Sequence, residues 1–145
     1  MRIFTEPAAL LRAVGEPLGT SPALTVGDEH VSRFARAAGA GSDGLSGAGT
    51  VPPFLVLSLA AGFRSRIYEV RQTASAVNYG LNRVRFGEAV HIGDQLVANA
   101  TLVAADQSDR GVVRACVALT ISVRGVSACE AETVTIYHPV AGRVG

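Results

Sequence analysis

The sequence predicts an α+β fold in which an antiparallel sheet curls round a central apolar helix. Between residues 53 and 68, Phe54, Leu55, Leu57, Leu59, Ala60, Ala61 and Phe63 leave almost no polar face, so this helix has to be wrapped by other structure. After residue 94 the hydrophobic period falls to two, the period of strands with one buried face. A run of helices followed by a run of strands belongs to α+β architectures.

The elements follow in order. Residues 7–14 are expected as a short helix, and residues 25–38 as a second, capped by Thr25 or Asp28, with Val31, Phe34, Ala35 and Ala38 on one face. The third helix starts at Pro53, because proline suits a first helical position, and runs to about Tyr68. Residues 76–86 read as a strand stopped by Gly87 and followed by the turn His91-Ile92-Gly93-Asp94. From residue 95 to 105, Leu96, Ala98, Ala100, Leu102 and Ala104 alternate with Asn99 and Thr101. Val113, Ala115, Val117, Leu119, Ile121 and Val123 repeat the pattern opposite Arg114, Thr120 and Ser122. Turn signals at 106–111 and around Gly125 make successive strands pair as hairpins, with residues 130–138 as the third member of a meander.

At 145 residues the chain fits one domain spanning 1–145, long enough to bury roughly two thirds of its unfolded surface. Thirteen basic and twelve acidic side chains leave a charge of +1, so no field of one sign recruits nucleic acid or anionic lipid. The apolar run from Phe54 to Phe63 is too short to span a bilayer. Glu6, Pro7 and Arg12 interrupt what would have to be an apolar signal core, so a cytoplasmic location is expected. Cys116 and Cys129 have no metal-ligand spacing and are expected as reduced, buried thiols.

Two segments carry a resemblance. NYGLNRVRF from Asn78 to Phe86, followed by AVHIGDQL from Ala89 to Leu96, looks like the MaoC-like dehydratases, the (R)-specific enoyl thioester hydratase family. RIFTEPAALLRAVGEPLG, VSRFARAAG, PFLVLSL and CEAETVTIYH extend the similarity over nearly the whole chain. The resemblance implies a hotdog fold and a dimer, of one chain or of two kinds, that continues its sheet across two hotdog protomers. It also implies acyl thioester substrates carried on coenzyme A or acyl carrier protein, in fatty acid or polyketide metabolism, with no metal or redox cofactor.

In active members of that family, the loop after the RFARAAG-type helix carries an Asp and, five residues later, a His. A backbone N–H at the start of the buried helix, from a Gly following a His, holds the thioester oxygen. Hydration of an enoyl thioester needs such an acid/base pair and such a donor. This chain departs at all three points. The Asp position falls on or near Ala40, the shortened loop contains no His, and His-Gly becomes Pro52-Pro53. From Gly39 to Gly49, nine of eleven residues are Gly, Ala or Ser, so little there can move a proton.

Substitute catalytic groups are few: Asp43 in the glycine-rich loop, His91 in its turn, and Tyr79 and Asn82 in the matched strand. An isolated loop Asp is more often a turn former. Phe54, Ser58, Asn78, Tyr79, Asn82 and Arg83 are the candidates for contacting substrate. Strand alternation places Asn78, Gly80 and Asn82 on one side and Tyr79, Leu81 and Arg83 on the other. Ser58 is expected to bond back to its own turn rather than act as a nucleophile. His30 is placed towards solvent or the helix start, and His138 at the end of the last strand. Arg64, Arg66, Arg71, Arg83 and Arg85 concentrate positive charge where a phosphate-bearing carrier would dock.

Three readings remain open. One is a non-catalytic partner subunit of an active dehydratase protomer. Another is a repurposed dehydratase, isomerase or cyclase for a bulkier chain. The alternative is a conventional (R)-specific hydratase working through substitute acid/base residues.

Overall fold

Strand β7 (Val113–Val123) is the axis of the sheet: every second residue, from Val113 to Val123, is buried, while Arg114 points to solvent. The computed structural model describes residues 1–39 and 49–141. Before the sheet come β1 (Arg2–Phe4), a 3-10 helix (Pro7–Arg12), β2 (Pro17–Thr20), β3 (Leu24–Thr25) and α1 (Asp28–Ala38). Then follow α2 (Pro53–Ser58), α3 (Ala60–Ile67), β4 (Tyr68–Val70), β5 (Thr73–Phe86), β6 (Gln95–Gln107), β7 and β8 (Val126–Pro139). The main sheet has the order β2-β6-β7-β8-β5, with β3 also on β6, and β1 pairs in parallel with β4.

The meander β6-β7-β8 forms as expected, because each strand buries one face against α2 and α3. Leu96, Leu102, Val113 and Ile121 are at most 1% exposed, and burying each such side chain contributes about 1.5–3 kcal/mol. The β7–β8 hairpin turns on Arg124 and Gly125, with φ of 50° and 76°. A two-residue hairpin loop needs positive φ at both central residues to match the strand twist. Arg124 tolerates it while donating to Asp94 at 2.7 Å and to the Ala89 carbonyl at 3.2 Å.

Three expectations are corrected. The third helix is two helices, joined at Leu59. Ser58 Oγ donates to the Leu55 carbonyl at 2.6 Å, and Leu59 N–H is shared between Leu55 and Val56; a serine bonded back into its own turn bends a helix. The second helix begins at Asp28, because Thr25 is held in β3 opposite Gln95. Gly27 is its N-cap, and its N–H donates to His30 Nδ1 at 3.1 Å. The first helix is a 3-10 helix that stops at Arg12.

The third correction concerns β5. Register shifts after Asn78 and after Leu81 break its simple alternation. Directly opposed residues share a face, so Asn78, opposite Thr135, and Leu81, opposite Thr133, lie on the core-facing side. Arg83 lies opposite Glu132, and Arg85 opposite Glu130, on the outer side.

Candidate functional site

Three places gather the residues singled out above: the entry to α2, the strand β5, and the far end of α3. At the entry, Pro52 is extended and Pro53 is the first helical residue, with the Pro52 carbonyl accepting from Leu55 at 3.0 Å and Val56 at 3.3 Å. Neither proline has an N–H, so the first amide at this terminus belongs to Phe54. The Phe54 ring is 68% exposed and meets Phe86 edge-on, with centroids 5.8 Å apart. Ser58 sits a turn later with its hydroxyl committed to Leu55, as anticipated.

Beside this entry, Thr50 bridges to His91, Val51 N–H donates to the Val90 carbonyl at 2.7 Å, and Ile92 N–H to that of Gly49 at 2.7 Å. His91 is thereby held alongside the segment that leads into α2, with its imidazole exposed and Nδ1 3.8 Å from Asp94 Oδ2. The same Asp94 oxygen accepts the His91 N–H at 2.8 Å and the Arg124 guanidinium. These bonds, the backbone one first, hold the Asp94 carboxyl below its ordinary value. Asp94 is therefore occupied as an anion that fixes the turn. Asp43 lies outside the described residues.

None of the residues of β5 is fully buried, and its second edge pairs with no described strand. Asn78 and Leu81 face inward and remain exposed because α2 and α3 do not reach over them; Tyr79, at the first register shift, is 69% exposed. Asn82 donates to Glu132 Oε2 at 2.6 Å, and Glu132 belongs to the outer side, as Arg83 does. The structure thus brings Phe54, Ser58 and Asn78 to the inner side of the molecule and leaves Asn82 and Arg83 outside it. The arginines do not form one patch either: Arg71 pairs with Glu69, Arg83 and Arg85 lie outside, and Arg64 lies inside. His138, at the end of β8, is exposed.

Sequence reasoning did not find the third place. At the end of α3, Arg64 Nη1 donates to the hydroxyl of buried Thr135 at 2.8 Å. Tyr68 and Tyr137 are 5% and 4% exposed, and the Tyr68 hydroxyl has no hydrogen-bond partner. Burial first, then neighbouring Tyr137, pushes the Tyr68 phenol above its ordinary range, while Arg64 partly offsets this. Such an unmade hydrogen bond costs about 1–3 kcal/mol. The available signal was tyrosine at an inward strand position, since a buried phenol needs a partner. Among the described residues no cluster of His, Cys, Asp and Glu suits a metal, and both cysteines are free.

A curled antiparallel sheet holding a central helix defines the hotdog fold, and solved structures agree. The monoamine oxidase regulatory protein of Archaeoglobus fulgidus superimposes with a TM-score of 0.77 over 96% of this chain and 97% of that one, at 19% identity. The MaoC-like dehydratase of Rhodospirillum rubrum gives 0.65 at 15% identity, over 88% of this chain and 93% of that one. The HadBC complex, a (3R)-hydroxyacyl-ACP dehydratase of Mycobacterium tuberculosis, gives 0.64 at 23% identity, over 86% and 96%. No model of a known protein family matches the sequence. In sequence, the chain is 34% identical to 3-hydroxyacyl-thioester dehydratase Z of Mycobacterium tuberculosis, over 94% of this chain and 99% of that protein. The chain belongs to the MaoC-like family of hydroxyacyl-thioester dehydratases.

Proposed function

We infer that this chain is an acyl-thioester-binding hotdog protomer that lacks the family's proton-transfer pair and serves as partner to a second hotdog protomer. The observation that carries this reading is the entry to α2. Pro53 stands where the resemblance expects the glycine whose N–H holds the thioester oxygen. Losing one such donor typically costs about a hundredfold or more in rate, and no Asp or His occupies the expected loop positions. The uncovered strand β5 supports the pairing, since a long free edge with exposed Val77, Tyr79 and Leu81 calls for a cover. The acyl group would arrive on coenzyme A or acyl carrier protein, in cytoplasmic fatty acid or polyketide metabolism. The two-component HadBC dehydratase offers a precedent for such a pairing.

The test is reconstitution. Co-expressed with a family member that retains the Asp/His pair, the chain should form a stable 1:1 assembly that hydrates enoyl thioesters faster, or over a wider range of chains, than that member alone. Failure to assemble with any such partner argues against the reading.

A second reading, hydration by substitute groups, is favoured by one contact: the bridge that sets His91 beside Thr50 at the head of α2. It requires that His91→Ala abolish a hydratase activity of the isolated chain.

A further inference from the structure

The cavity of about 260 Å³ between α3, β4 and the β5–β8 pair has a wall rich in donors. Arg64, Tyr68 and Tyr137 all line it. Among the described residues no carboxylate pairs with Arg64. Its guanidinium spends one donor on Thr135 and keeps others free. The Tyr68 hydroxyl, in the same wall, is shielded from solvent and has nothing to bond. Buried polar groups are nearly always satisfied, so an orphan of this kind marks a place where a bound group supplies the missing acceptor. A planar guanidinium beside a phenol matches a carboxylate, which accepts several hydrogen bonds and carries the compensating charge.

The rest of the wall narrows the class. Val70 and Ala76 are apolar, and Glu69 adds negative charge although Arg71 engages it at 3.3 Å. That acid disfavours a dianionic phosphate, whereas one carboxylate with a short apolar body fits. The volume lies just below the range of about 300–1,000 Å³ usual for small-molecule pockets, which points to a compact ligand.

We propose that this cavity is a binding site for a small aliphatic or aromatic monocarboxylate, held by Arg64 and Tyr68 with Tyr137 beside them. The site lies at the end of the helix pair remote from Pro53, and it does not depend on whether the chain handles thioesters.

Calorimetric titration of the whole chain with hexanoate and benzoate, against hexanol and inorganic phosphate, tests it. Saturable binding of a carboxylate is expected, with hexanol and phosphate weaker. Arg64→Gln and Tyr68→Phe should each weaken carboxylate binding about tenfold or more, the loss expected for a hydrogen bond to a charged group. Tyr68→Phe removes only the orphan hydroxyl, so its melting temperature should match or exceed that of the parent. The proposal is overturned if neither carboxylate saturates, if hexanol or phosphate binds as tightly, or if both folded variants retain full affinity.

Discussion

At the scale of residues, proline carries most of the argument. Pro52 and Pro53 were legible because proline has one chemistry wherever it stands: it opens a helix well and cannot donate there. Tyr68 and Tyr137 were not legible as a pair, since 69 residues separate them and only the folded sheet brings them to one wall. Asp94 sits between these cases. The turn was expected, but not its three-way tie to His91 and Arg124. Because those bonds lower its folded pKa, Asp94 contributes stability that is present above its unfolded pKa and lost as pH falls through the folded one. Asp94→Asn should therefore lower the melting temperature at neutral pH, and the deficit should narrow as the pH falls below about 4. A deficit that is constant with pH would assign the effect to packing alone.

At the scale of elements, periodicity located the strands because one face of each is buried, and the meander follows from that. It failed where backbone irregularity intervenes. Two register shifts in β5 redistribute its side chains, so Asn78 and Asn82, expected on one face, end on opposite sides. The break at Leu59 escaped for a related reason: apolar composition predicts burial, whereas a bend depends on one serine's hydrogen bond. Close approach explains Gly87. Its N–H donates to Ala128 at 2.9 Å, and a Cβ there would collide with the Ser127 carbonyl oxygen. Gly87→Ala should cost about 1–3 kcal/mol in chemical denaturation; an unchanged midpoint would show that the strand end yields freely. On β5 itself, Leu81 is 47% exposed on the inner side. Leu81→Arg should convert a dimer of this chain, or its complex with a second hotdog protomer, to separate subunits by light scattering, while the melting of the isolated subunit stays intact. Unchanged mass would place the interface elsewhere.

At the scale of the whole molecule, the fold and family were the most legible features, because an all-apolar helix ahead of a meander admits few arrangements and the NYGLN and GDQL segments are specific. The chain keeps that architecture while changing the residues at its helix entry. Retained shape with altered chemistry distinguishes binding an acyl thioester from transforming it, and the two separate in a single experiment. The isolated protein is mixed with crotonyl or longer enoyl thioesters, and binding and hydration are followed together. The account predicts saturable binding without hydration above the rate in buffer. Steady hydration by this chain alone would contradict it.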